Sequence, residues 1–124
     1  MATLTIAEYS GLGNTGFDGQ VAVPGEDSHL LDQQVTVPAL AGPANPSAAF
    51  QSAPSRGPAP MAQPPQGAGT RWIELTTDTA CHYAIGPAGT VATAANRVLP
   101  ANAPPLLRRV PENQGWIVSV LGVV

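Results

Sequence analysis

Hydrophobic and polar positions alternate in short runs along this chain, the period of half-buried strands. Thr3-Leu4-Thr5-Ile6-Ala7 alternates in this way, and so does Gln33-Gln34-Val35-Thr36-Val37, which stops at Pro38. Between them Gln20-Val21-Ala22-Val23 is a short extended piece ended by Pro24-Gly25. Further on, Arg71 to Thr77 places Ile73, Leu75 and Thr77 on one face, and Asp78-Thr79 supplies a turn. Cys81 to Ile85 brings Cys81, Tyr83 and Ile85 together before Gly86-Pro87 ends the run. Residues 88–96 are small and predict a loop. Arg97-Val98-Leu99 and Leu106 to Val110 predict two short strands, each bounded by proline. Pro111 to Gly115 is a turn cluster.

The last run, Trp116 to Val124, differs from the others. Trp116, Val118 and Val120 lie on one face, Ile117, Leu121 and Val123 on the other, and Ser119 is its one polar residue. A strand apolar on both faces calls for cover on both. A unit of about 55 residues is a thin sandwich with one interior and is marginal alone. The second face therefore predicts a partner: another copy, the N-terminal segment or a larger assembly. The alternative is a strand covered by an arm, or partly exposed, within a monomer.

Residues 38–69 read differently again. Eight of these 32 residues are Pro, four Gly and nine Ala. Proline fixes φ and removes a donor, so neither a helix nor a central strand runs through them. Their few large side chains cannot offset backbone ordering at about 1–2 kcal/mol per residue. If the segment is ordered, something else orders it. The expected organisation is an extended N-terminal arm with short strands (1–37), a Pro/Ala/Gly-rich linker (38–69) and a small C-terminal β-sandwich or jelly-roll-like domain (70–124). The fold class is mainly β.

Composition narrows the function classes. The 124 residues leave no room for a two-domain enzyme or a complete dinucleotide-binding fold. Fourteen Pro and thirteen Gly argue against an all-helical protein. Eight acids against five arginines, with no lysine, give −3, which disfavours nucleic acid as a partner. Four arginines but three acids lie in residues 70–124, while residues 1–69 hold one arginine and five acids. That asymmetry suits head-to-tail contact of an acidic arm with a neighbour's arginines. The single cysteine, Cys81, cannot form an internal disulfide. The N-terminus lacks a basic head and a long apolar run, and the longest apolar stretch is far short of about 20 residues, so neither secretion nor membrane insertion is expected.

The candidate chemistry is sparse. Gly11-x-Gly13-x-x-Gly16 matches the dinucleotide fingerprint by letter, but the breakers after it allow no helix to hold a pyrophosphate. Ser28, His29 and Asp32 crowd one loop, whereas triads draw on distant segments. Cys81 and His82 are strand neighbours on opposite faces and would not share a metal; Cys81 reads as a small core residue and His82 as an outward one. Glu26-Asp27 has no defined pocket. Arg108-Arg109 beside Trp116 makes no basic stripe. The expected catalytic, cofactor-binding and metal residues are none, and no cofactor is expected.

Residues 71–124 resemble a group of small tailed-bacteriophage virion proteins. The likeness rests on the run from Arg71 to Pro87 (RWIELTTDTACHYAIGP), with its strand, Asp-x-x-Cys turn and second aromatic strand. An Ala/Thr-rich loop (88–96), a Leu99-Pro100-Ala101 step and a valine-rich end follow. The opening Met1 to Tyr9, with Gly11-Leu12 after it, is also similar to the start of such proteins. The long Ala/Pro linker departs from their compact members. The resemblance implies a non-enzymatic virion component that decorates or cements a capsid, with an arm laid across neighbouring subunits. Its partners would be the major capsid protein, other virion proteins and other copies of itself. It would be assembled in the host cytoplasm and located in the virion. Two alternatives stand beside this reading: a tail, neck or fibre-attachment protein, and a small carbohydrate- or ligand-binding β module with an aromatic groove at Trp72 or Trp116.

Overall fold

The computed structural model describes residues 2–10, 12–14, 22–24, 29–52 and 69–124. Each alternating run of the sequence becomes a strand with its apolar residues turned inward. In β1 (Thr3–Tyr9) Leu4, Ile6 and Glu8 are the buried positions. In β6 (Trp72–Thr77) they are Ile73, Leu75 and Thr77. β7 (Cys81–Gly86) buries Cys81 and Tyr83, and in β4 (His29–Thr36) the inward Val35 is buried. β8 (Val98–Leu99), β9 (Leu106–Arg109) and β10 (Ile117–Gly122) complete the runs read from the sequence. The short extended piece before Pro24-Gly25 is β3 (Ala22–Pro24), which takes in Pro24, and two short strands join these: β2 (Leu12–Asn14) and β5 (Asn45–Pro46).

The described strands form two four-stranded antiparallel sheets and one hairpin. Sheet I has the order β4-β1-β6-β9, sheet II the order β5-β10-β7-β8, and β2 pairs with β3 alone. The pairs are nested. β7 pairs with β8, β6 with β9, β5 with β10, and β4 with β1, each pair on the sheet opposite the last. This is the winding of a jelly-roll-like sandwich. The core between the sheets is built from Leu4, Ile6, Ile73, Leu75, Val118 and Val120, all fully buried, with Val35, Val37, Phe50, Tyr83 and Leu99 around them.

Two expectations are corrected. Within residues 1–37, β1 and β4 do not stand apart as an arm. β1 lies between β4 and β6, paired from Leu4↔Thr77 to Tyr9↔Trp72, because its Leu4 and Ile6 supply core that residues 70–124 lack. The first strand thus joins a sheet of its own chain. Nor are residues 38–52 a bare linker. They run beside β10, with Gly122 N–H donating to Pro38 O (2.8 Å), Leu40 N–H to Val124 O (2.8 Å), Ser47 N–H to Val118 O (2.7 Å) and Phe50 N–H to Trp116 O (2.9 Å). Phe50 enters the core. The ordering that its own side chains could not supply comes from the free edge of an apolar strand. Residues 53–68 lie outside the described residues, as do Gly11, Gly16, Glu26, Asp27 and Ser28 of the motifs above.

The second face of β10 is covered by the same chain. All six β10 residues are buried. On the outer side the small-residue loop after β7 folds over the strand, where Ala92 N–H donates to Ser119 Oγ (2.9 Å) and Ala92 is itself buried. The inference that this face needs another molecule loses its premise. His82 is likewise not left facing solvent; the same loop covers it, and its Nδ1 bonds Asn96 O at 2.9 Å.

Candidate functional site

The buried polar groups come first, because they decide what chemistry is free. Glu8 occupies the third inward position of β1 and is fully buried. Its Oε2 accepts from Gln33 Nε2 (2.7 Å), and its Oε1 accepts from Gln51 N–H (2.9 Å) and Thr70 Oγ1 (2.8 Å). Gln33 is held in turn by Ala48, whose N–H donates to Oε1 (2.9 Å) and whose carbonyl accepts from Nε2 (3.3 Å). Thr70 N–H donates to Gln51 O (2.9 Å). Gln51 and Thr70, on either side of residues 53–68, are therefore bonded to one carboxylate. A second carboxylate holds the Thr70 side from outside, since Glu112 pairs with Arg71 Nε and accepts from Gly69 N–H.

The remaining buried polar side chains also join loops to strands. Ser47 Oγ accepts from Val118 N–H (3.0 Å), Thr77 Oγ1 donates to Thr79 O (2.6 Å), and Ser119 and His82 hold the loop after β7. No buried side-chain nitrogen or oxygen among the described residues lacks a partner. Cys81 is fully buried in the core as expected, and burial pushes its thiol above the ordinary range, against a smaller opposing effect of the Thr77 hydroxyl. Asp78, fully exposed, accepts from Thr3 N–H (2.7 Å), and that bond holds its carboxyl below the usual range.

What is left is a surface. The outer face of sheet II is covered at β10 by the loop after β7, whereas the outward residues of sheet I are half-buried or exposed. Four side chains form a row across its strands: His29 is in register with Tyr9, Tyr9 with Trp72, and Trp72 with Arg109. A bulge between Glu8 and Tyr9 shifts the register so that His29, not Leu30, meets Tyr9. Their rings meet edge to face with centroids 5.4 Å apart, and His29 Nε2 lies 2.8 Å from Asp32 Oδ1. The next row is Asp32, Ala7, Glu74 and Leu107, and then come Gln34, Thr5 and Thr76. Burial, with Glu74 and Asp32 adding to it, raises the Tyr9 phenol above its ordinary value. At the far end a cleft of about 420 Å³ opens between Thr3, Thr5, Gln34, Thr76, Asp78 and Asn102.

The sequence motifs do not assemble here. His29 and Asp32 pair with each other, and Ser28 lies outside the described residues. Among the described residues no three His, Cys, Asp or Glu side chains gather as a metal would require. Trp72 is half-buried on the outer face of sheet I, while Trp116 packs against the core. Sequence reading missed Tyr9 and Gln34, although their outward parity in the alternating runs was a usable signal. The chain matches no family model, no curated protein and no solved structure.

Proposed function

We propose that this chain is a non-enzymatic structural protein of a tailed-phage virion, decorating or cementing the capsid against the major capsid protein. The observation that carries the reading is the use made of the buried polar groups. Glu8, Ser47, Thr70, Thr77, His82 and Ser119 each bond a loop or a neighbouring strand. Side chains committed to architecture leave recognition by the surface as the means of action. The resemblance of residues 71–124 to small virion proteins supports the same reading. Contact with neighbours then falls to the faces and loops of the sandwich, because β1 and β4 are already paired within the chain.

Mass spectrometry of purified particles tests this. Copy number on the order of hundreds per particle supports decoration of a capsid lattice, and on the order of a dozen supports the neck or tail alternative. Absence from particles overturns both. A second reading, a small ligand-binding β module, is favoured by one observation, the aromatic and polar open face of sheet I.

A further inference from the structure

The open face of sheet I carries chemistry that a structural role in a virion does not use. Along β1 the outward residues are small, Thr3, Thr5 and Ala7, until Tyr9. The strands beside it present longer polar side chains in register, Asp32 and Gln34 on β4 and Glu74 on β6. Small residues between longer ones make a trough along β1. From Thr3 to Tyr9 it runs about 20 Å at about 3.4 Å per residue, long enough for a short oligosaccharide. One end deepens into the cleft of about 420 Å³, and the other ends at Tyr9 and Trp72.

The two ends offer complementary chemistry. Among the described residues no hydrogen bond is formed by the side chains of Thr5, Gln34, Thr76 and Asn102, so two hydroxyls and two amides stand ready both to donate and to accept. Asn102 is held at φ 54°, in the left-handed region, at the rim of the cleft. Tyr9 and Trp72 are half-buried cross-strand neighbours, and their side chains combine an apolar ring with a polar edge. A sugar ring has the same division, an apolar C–H face and a rim of hydroxyls. Asp32, Glu74 and Asp78 border the trough and disfavour an anionic chain.

We infer that the outer face of sheet I binds a neutral carbohydrate chain, stacked on Trp72 and Tyr9 and hydrogen-bonded by Thr5, Gln34, Thr76 and Asn102. A protein partner is the competing occupant. Its hot spots centre on aromatic and arginine anchors in desolvated pockets, whereas here the cleft lining includes the neutral polar side chains of Thr5, Gln34, Thr76 and Asn102 beside the carboxylate of Asp78. The inference does not depend on the virion reading, because it concerns the isolated chain.

The test is calorimetric titration of the purified full chain with cellohexaose, maltohexaose and N-acetylchitohexaose, and with hexagalacturonate as the anionic counterpart. At least one neutral hexamer saturates the protein, and hexagalacturonate does not. Trp72→Ala weakens binding about tenfold, and Gln34→Ala and Asn102→Ala each weaken it about threefold to tenfold. Trp72→Phe, which keeps a ring, retains most of the affinity and separates lost stacking from lost folding. Val98→Ala, in sheet II, leaves binding unchanged. Saturation by none of the three neutral hexamers, tighter binding of hexagalacturonate, or binding indifferent to both Trp72→Ala and Gln34→Ala overturns the inference. Loss of the Trp72→Ala protein from purified particles, with no hexamer bound, assigns the face to a protein partner and overturns it too. Because copy number on particles is measured separately, either reading can fail without the other.

Discussion

Glu8 shows how one inward polar residue can join segments far apart in the chain. Three donors converge on its carboxylate from Gln33, Gln51 and Thr70. Removing the acceptor leaves those donors buried and unpaired, at about 1–3 kcal/mol for each that water cannot reach. Glu8→Ala is therefore expected to lower stability by about 3 kcal/mol in urea unfolding. Glu8→Gln is milder, about 1–2 kcal/mol, but not neutral. Its amide would face the Gln33 amide, and Gln33 cannot turn over without breaking both bonds to Ala48. Equal stability of wild type and Glu8→Gln would refute this account of the clasp.

Two titrations belong to the same scale. The Asp78 carboxyl is held low in the folded chain by Thr3 N–H, so its contribution is present above the ordinary carboxylate range and is lost as pH falls through the lowered folded value. Asp78→Asn should flatten that part of the acid limb in urea midpoints taken against pH. The Cys81 thiol is raised, so the unfolded chain ionises first. Its contribution is present below the ordinary thiol range and is lost as pH rises toward the raised folded value. A thiol reagent should modify Cys81 only on the unfolding timescale, and prompt labelling of the native chain would contradict its burial. The position of Glu8 was legible, because the Leu4-Ile6-Glu8 alternation points it inward. Its partners were not, because they lie 25, 43 and 62 residues away in sequence.

At the scale of elements, the last strand and the segment beside it explain each other. The apolar run in β10 was legible from its residues, and so were β6, β7 and the inward faces of β1 and β4. The covering of β10 was not, because small residues such as Ala92 announce no preference for a face. Residues 38–52 gave no strand signal, since their order comes from hydrogen bonds to β10 rather than from their own side chains. Close approach makes this edge sensitive. A Cβ at Gly122 would sit 2.3 Å from Pro38 O. Gly122→Ala should therefore cost about 2 kcal/mol, by forcing residue 38 away from the strand. A melting temperature unchanged by that substitution would mean the two backbones are not in contact.

The segment between the pinned stems makes the opposite prediction. Gln51 and Thr70 are hydrogen-bonded to each other and to Glu8, so the described fold does not need residues 53–68 to bring them together. Replacing 53–68 with a short glycine-containing turn should change stability by no more than about 1 kcal/mol. Unfolding of that variant would contradict the closure.

At the scale of the whole molecule, the nested pairing lets one chain close two sheets over one core. Alternation told which side chains face inward, but not which strands are neighbours. The place of β1 between β4 and β6 was therefore invisible in the sequence, and the first 37 residues read as an arm. The same limit applied to the open face of sheet I. Tyr9, Trp72 and Arg109 are outward residues on three separate runs, and only the register makes them one row. A function exercised through that face fits a sandwich whose buried polar groups serve its own architecture.

The central claim is that the isolated chain completes this sandwich, with residues 38–52 and the loop after β7 covering its last strand. Hydrogen exchange on the purified monomer, read residue by residue at two protein concentrations, tests it most directly. The account predicts that the amides of Leu40, Ser47, Phe50, Ala92 and Gly122 are protected along with the core of β10, to the same degree at both concentrations. Exchange of Ser47, Phe50 and Ala92 at unfolded-chain rates, or protection that appears only as concentration rises, would show that another molecule supplies the cover.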